Sequence, residues 1–395
     1  MSRTLVIDQA SRGVRIGLLE DDRLIEVDLA AAAPYGQGAI CLGRVRRVAP
    51  DLDGAFVDCG LGDDAFLGAR DARALPRATR SAPIGEKVTE GQAVLVQVRR
   101  EAQGGKGPRV TTDIALPGIF LLHRPRLGRA LLSPELARSE HAGRQQARAA
   151  ALLPSGGFSL RPAVVQASDD ELAGEAQQLR AQWSAIEERA ATARPPALLA
   201  APPEPLQRLL LEHFRPEVER IVVADRGLLI QARRWLEQAL PRWLEQGAER
   251  LEHLADAFEA TGAAEQLEQA LGREVALACG GSLIIEPTAA LTAIDVNGAG
   301  RPIDVDLEAA REVARQLRLR RIGGIVVIDF VDLERRRDRV RLDAALRAAF
   351  AEDPATVQLY PMSPLGLVEL SRQRLGPSLA ERLGRQAPIE EDLDE

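Results

Sequence analysis

An α+β multidomain fold is the architecture this sequence predicts, and three observations predict it. The chain has 395 residues, and at roughly 100–200 residues per domain that makes about two to four domains with buried cores. Five short strand-like runs crowd between Ala39 and Leu116, with loops rich in Gly, Asp and Pro between them. That density suits a small barrel of the OB type. Beyond Leu206 helical and strand-like patterns alternate, as in mixed sheets covered by helices.

Composition excludes several classes of protein. No apolar run reaches the roughly 18 residues of a membrane span, and the start MSRTLVIDQASRG lacks the apolar core of a secretory signal, so a cytoplasmic location is expected. Cys41, Cys59 and Cys279 are isolated and odd in number, which gives neither a disulfide framework nor a CxxC zinc site. The four histidines are scattered. Net charge is −7 and aromatics are only 3% of residues, a poor average for a nucleic-acid binder. Binding depends on where charge is concentrated, however, and all basic residues except Lys87 and Lys106 are arginine.

In chain order, TLVIDQASRGVRIGLLEDDRLIEVDL reads as two or three half-buried strands turning at Ser11-Arg12-Gly13 and Asp21-Asp22. ICLGRVRRVAP, GAFVDCG, DAFLGA, QAVLVQVRREA and PRVTTDIAL are the five barrel strands. Residues 119–203 are less regular, with the strand-like SGGFSLRPAVVQ, the helical DDELAGEAQQLRAQWSAIEERA and a proline-rich boundary. LQRLLLEHF, EVERIVVAD and RGLLIQARRWLEQAL alternate helix and strand. LIIE and ALTAIDV are strands around Pro287-Thr288. The helix VDLEAAREVARQLRLR then leads through Gly323-Gly324 into IVVIDFVDL. A helix, RVRLDAALRAAFAED, and a strand, TVQLYPM, precede the acidic tail.

Two strand-end aspartates carry the sharpest chemistry. Asp295 closes ALTAID, with Asn297 two residues on, and Asp329 closes IVVID. Mg²⁺ takes oxygen ligands, often one or two carboxylates completed by substrate phosphate and water. The strand–helix–strand connection makes the two strands neighbours; the bland alternative is a pair of solvated strand ends or helix caps. DVNGAGRPIDVD imitates a calcium loop, but Ala299 and Asp306 occupy ligand positions and a strand precedes it where a helix is required. GGKGP lacks the Ser/Thr of a phosphate loop.

Between Arg311 and Val340 stand nine arginines against five acids, with Arg311, Arg315 and Arg318 on one helical face. Beside a carboxylate–metal site such a stripe suits a polyanion; it is equally compatible with a solvated helix face. In the barrel, Phe56 and Phe66 fall on adjacent strands, and Arg44, Arg46, Arg47, Lys106 and Arg109 supply charge. Exposed rings in a basic groove stack bases of single strands, whereas a lone Phe more often belongs to a core.

SLIIEPTAALTAIDVN, LEAAREVARQLRLRRIGGIVVIDFVDL, LVELSRQRLGPS and GRVRRVAPDLDGAFVDCGLGDDAFL together resemble the ribonuclease E/G family of bacterial endoribonucleases, in order and spacing over nearly the whole chain. The resemblance implies an RNase H-like subdomain (1–36 and 204–275) interrupted by an S1-type OB barrel (37–118) and a 5′-sensor-like subdomain (119–203). A DNase I-like catalytic subdomain with the acidic tail (276–395) would follow. It implies Asp295 and Asp329 as ligands of catalytic Mg²⁺, Asn297 in support, and single-stranded RNA as substrate, with roles in rRNA processing or mRNA decay. Phe56, Phe66, Lys106, Arg161, Arg318, Arg372 and Arg374 become the expected RNA contacts. Where the family has an Arg-Thr pair for a 5′-monophosphate, this chain has Arg161-Pro162. Proline offers neither hydroxyl nor N–H, so little 5′-end preference is expected. The family's CPxC zinc link is absent after RLGPS, which leaves a monomer or a zinc-independent dimer. The segment Gly298–Asp306 is shorter than in better-known members, and Gly298 replaces the usual Ser/Thr. That shortening is the feature favouring the alternative, a non-catalytic RNA-binding protein that keeps the barrel.

Overall fold

The computed structural model describes residues 2–33, 35–73, 81–102, 107–298 and 300–384. It forms two compact units, one of Met1–Leu29, Val218–Arg233 and Arg242–Glu395, the other of Ala30–Glu217 and Arg234–Pro241.

The first unit holds two sheets. In the five-stranded one, Arg3–Ala10 pairs antiparallel with Gly13–Glu20 and parallel with Val218–Val223. Leu251–His253 and Arg23–Ala30 form the edges. Asp21 and Asp22 both have positive φ, +47° and +62°, the conformation a two-residue hairpin loop requires between right-twisted strands. The six-stranded sheet runs Glu274–Ala276, Ser282–Pro287, Leu291–Asn297, Gly324–Asp329, Val368–Arg372, Val357–Leu359. Leu291–Asn297 and Gly324–Asp329 pair in parallel, and the helix Pro302–Leu319 is the crossover that parallel neighbours need. Alternation sends Leu283, Ile285, Ile294, Val296, Val326, Ile328, Val368 and Leu370 into a core shared with Ile303, Ala310, Val313 and Leu317 of that helix and Leu342 and Leu346 of Arg336–Ala349. The strand Val368–Arg372 is absent from the sequence reading, because its run VELSR holds only two apolar residues.

In the second unit, Ile40–Ala49, Gly54–Asp58, Ala65–Gly68, Arg109–Thr111 and Ala93–Arg100 are hydrogen-bonded in that order, and Ala93–Arg100 returns to Ile40–Ala49. The barrel closes with sequence order 1-2-3-5-4-1, its third and fifth strands parallel, as an OB-type barrel does. Val45, Ala55, Val57, Ala65, Leu67, Val94, Val96, Val98 and Val110 fill it. Ala197–Ala200 pairs with the first barrel strand. A four-stranded sheet (Leu131–Leu132, Phe158–Leu160, Leu121–His123, Leu116–Pro117) follows the barrel. The helix Asp169–Thr192 starts at a capping box of Ser168 and Glu171, which satisfies two otherwise orphaned amides. No helix among the described residues is long and apolar enough to cross a membrane.

Candidate active site

Asp295 and Asp329 are directly opposite each other in the parallel ladder. Register partners on neighbouring strands lie about 5 Å apart and point to the same face. The face is settled by their neighbours: Ile294, Val296 and Ile328 are buried, while Asp295, Asn297 and Asp329 are exposed. Both carboxylates therefore stand at the C-terminal end of the parallel pair, where open α/β sheets bind ligands. The Asn297 amide, on the same face, donates to Asp295 at 2.8 Å. Among the described residues, no arginine, lysine or histidine pairs with either carboxylate. Two adjacent like charges without a counter-ion, plus an amide oxygen, form a hard donor set that fits a divalent cation such as Mg²⁺.

The chain leaving Asn297 turns straight onto its helix. A Cβ on Gly298 would come within 2.7 Å of Val305, so the short connection accepts glycine where a Ser or Thr would collide. One turn on is Asp306, 0% exposed. One carboxylate oxygen accepts from the Val331 N–H at 3.1 Å, two residues beyond Asp329. The other is buried with no partner among the described residues. Desolvation pushes its pKa up to about 7. In the sequence Asp306 stands only as the last position of a failed calcium loop, and its alignment with Ala310, Val313 and Leu317 on an apolar helix face is the signal of its burial.

The expected arginine stripe divides into two populations. Arg315 is held by Glu312 and the Leu24 carbonyl, Arg321 by Asp28, and Arg318 by Glu26 at 3.0 Å. Arg318, expected as an RNA contact, thus ties the crossover helix to the strand Arg23–Ala30. Arg372, also expected as an RNA contact, is held more tightly still. It is 4% exposed, and its guanidinium makes two 2.9 Å bonds to Asp353 and one to the Ile322 carbonyl. Arg374 is exposed and donates to the Gly323 carbonyl at 3.2 Å, beside the start of the strand that Asp329 ends. It stands roughly 16 Å along that strand from the carboxylates. By contrast Arg335, Arg336, Arg337 and Arg341 are exposed around the start of the helix that follows Asp329.

In the barrel unit, a single cross-strand row runs Arg47, Phe56, Phe66, Arg109. The two rings meet edge to face at 5.6 Å. Arg47 lies over Phe56 at 4.7 Å and Arg109 over Phe66 at 5.4 Å, within cation–π range. Neighbouring Ala55, Val57, Ala65 and Leu67 point into the barrel, so both rings are on its outer surface, half-exposed, and not in its core. Gly54 makes room for them: a Cβ there would be 2.2 Å from the Phe66 ring. Arg44 donates to the Gly91 carbonyl and Arg46 to Asp58. Lys106 lies outside the described residues.

Arg161 turns inward. Its guanidinium donates to the carbonyls of Gly118 and Leu211, and burial lowers its pKa to about 10. Nearby Glu175 accepts the N–H groups of Ile119, Phe120 and Leu121, and burial still raises it to about 6. Arg161, expected as an RNA contact, therefore holds main chain, and Pro162 opens a short 3-10 turn.

The ribonuclease E/G family profile matches residues 115–375. Ribonuclease E of Nostoc sp. is 34% identical over 386 residues, covering 94% of this chain and 56% of that protein. Ribonuclease E of Escherichia coli is 33% identical over 398 residues, with 96% and 38% covered. This chain thus spans about half the length of the ribonuclease E relatives it matches. Ribonuclease G of Escherichia coli is 32% identical over 412 residues, covering 98% of this chain and 83% of that protein. With a matched region reaching from before Gly118 to beyond Arg374, and containing Asp295, Asn297 and Asp329, the chain belongs to the ribonuclease E/G family.

Proposed function

We propose that this chain is a Mg²⁺-dependent endoribonuclease that hydrolyses single-stranded RNA, with Asp295 and Asp329 holding the metal. The observation that carries the reading is their in-register pairing on an exposed sheet face without a counter-ion among the described residues. Asp295 and Asp329 would hold Mg²⁺, which would supply Lewis-acid polarisation of a phosphodiester and a more acidic bound water. Asn297 orients the Asp295 carboxylate through its 2.8 Å bond. The cross-strand row Arg47–Phe56–Phe66–Arg109 stacks bases and meets phosphates, with Lys106 beside it in sequence. The exposed arginines Arg335, Arg336 and Arg337, of which Arg337 is loosely paired with Asp338 at 3.9 Å, meet the RNA backbone after the cleavage end of the sheet.

The subdomain reading accompanies this function. The five-stranded sheet is the RNase H-like part, the barrel the S1-type domain, residues 119–203 the sensor-like part, and the six-stranded sheet the DNase I-like catalytic part. Arg161, engaged with two carbonyls and followed by proline, supports weak 5′-monophosphate preference.

The test is cleavage of a labelled single-stranded RNA by the purified protein, with Mg²⁺ or with chelator. Cleavage requires Mg²⁺, and Asp295→Asn or Asp329→Asn lowers it by about 100-fold or more while RNA affinity in chelator stays within twofold. Undiminished cleavage by either variant removes that residue from the site.

A further inference from the structure

The antiparallel and parallel ladders on either side of Gly324–Asp329 both end there. Its last rungs are Ile328 opposite Val368 and Asp329 opposite Asp295. Beyond Asp329 the chain has no strand partner, and the orientation of the Asp329 carboxylate depends on what fixes the next residues. Phe330 is held by its side chain in the core, and the first side-chain hydrogen bond to the main chain there is that from the Val331 N–H to Asp306. Asp306 belongs to the helix that follows Asn297, so this one bond ties the chain leaving Asp295 to the chain leaving Asp329.

Stability does not explain an aspartate there. It is completely buried, surrounded on its helix by Ile303, Val305, Ala309 and Ala310 of the core. Among the described residues it has no cationic partner, and one oxygen makes no bond. An apolar residue would avoid the desolvation cost but would leave the Val331 amide without its acceptor.

We propose that Asp306 is a positioning residue, whose side-chain oxygen holds the Val331 amide and thereby sets the Asp329 carboxylate against Asp295 for the cation. This rests on the reading of Asp329 as a metal ligand. It requires an acceptor at Asp306 and not a charge, so asparagine replaces it and leucine does not.

Four proteins test it: the parent, Asp306→Asn, Asp306→Leu and Asp329→Asn. Mn²⁺ binding, titrated by electron paramagnetic resonance without RNA, reads the cation site directly. Steady-state cleavage separates kcat from KM. Asp306→Leu weakens Mn²⁺ binding by about tenfold, within the range for residues that orient metal ligands, and lowers kcat with KM for RNA unchanged. Asp306→Asn stays within twofold of the parent. Hydrogen exchange on the parent alone gives a reading that needs no variant to fold: the Val331 amide is protected relative to Asp332. Unprotected Val331, unchanged Mn²⁺ binding in Asp306→Leu, or equal damage in Asp306→Asn each overturns the proposal. If Asp329→Asn binds Mn²⁺ and cleaves as the parent does, the metal reading fails. If Asp329→Asn is impaired and Asp306→Leu is not, only the positioning role fails.

Discussion

Arg372→Met separates a structural arginine from an RNA-binding one. Arg372 and Asp353 are 4% and 9% exposed and share two bonds of 2.9 Å. Removing the guanidinium leaves the Asp353 carboxylate buried without its partner, a loss that costs about 3–5 kcal/mol. Against the roughly 5–15 kcal/mol of a typical domain, the variant retains about four-fifths of its stability at most and close to none at the low end. Adding Asp353→Asn neutralises the stranded charge and keeps an acceptor for the Ala355 N–H, bonded at 2.8 Å in the parent. The double variant therefore recovers part of the loss, about 1–3 kcal/mol. Urea denaturation followed by circular dichroism measures both. RNA affinity, corrected for folded fraction, is unchanged within twofold. A variant of parental stability with tenfold weaker RNA binding would falsify the structural assignment.

The pH dependence of stability has a definite sign at Asp306. Its folded pKa of about 7 lies above the ordinary 3.8, so the folded state keeps its proton while the unfolded state ionises. Stability falls as pH rises from about 4 to about 7, by roughly 4 kcal/mol as an upper bound. In Asp306→Asn this contribution disappears, so its urea midpoint exceeds the parent's more at pH 8 than at pH 5; a constant difference would show that the group titrates normally. In the barrel, Phe56→Ala or Phe66→Ala weakens binding of single-stranded RNA by roughly 1–3 kcal/mol by fluorescence anisotropy. Gly54→Ala approaches the Phe66→Ala value by displacing the ring; unaltered affinity in all three would exclude stacking there. Converting Arg335, Arg336 and Arg337 to glutamine lowers the slope of log affinity against log salt by about 2 for a single strand, whereas Arg318→Gln leaves the slope alone and lowers stability.

Much of this arrangement was legible in the sequence because it rests on local period and local chemistry. The five barrel runs are short, close together and separated by loops of Gly, Asp and Pro, and the strands closed by Asp295 and Asp329 are apolar enough to be recognised, with a helix of crossover length between them. What escaped depends on partners distant in sequence. Val368–Arg372 is a strand because sheet neighbours on both sides pair with it, and its own pattern is too short to show that. Arg161 and Arg372 have the composition of RNA contacts, and only the fold supplies the carbonyls and the carboxylate that engage them. Asp306 looked like a failed calcium ligand because its acceptor role is visible only when Val331 is beside it.

Charge follows the same logic. Counting arginines between Arg311 and Val340 treats them as one population, but the fold gives them different electrostatic environments. Arg315, Arg318 and Arg321 stand against Glu312, Glu26 and Asp28, and their positive charge is already balanced inside the first unit. Arg335, Arg336 and Arg337 gather at the start of Arg336–Ala349, where the helix dipole is positive and cations are disfavoured by roughly 0.3–1 kcal/mol each. Asp338 is the only acid in that helix's first turn, and it is 3.9 Å from Arg337. Folding alone gains nothing from such a placement; phosphates arriving at the same helix start would reverse its sign. A chain of net charge −7 can therefore still present a locally basic surface, because Arg335 and Arg336 have no carboxylate partner among the described residues.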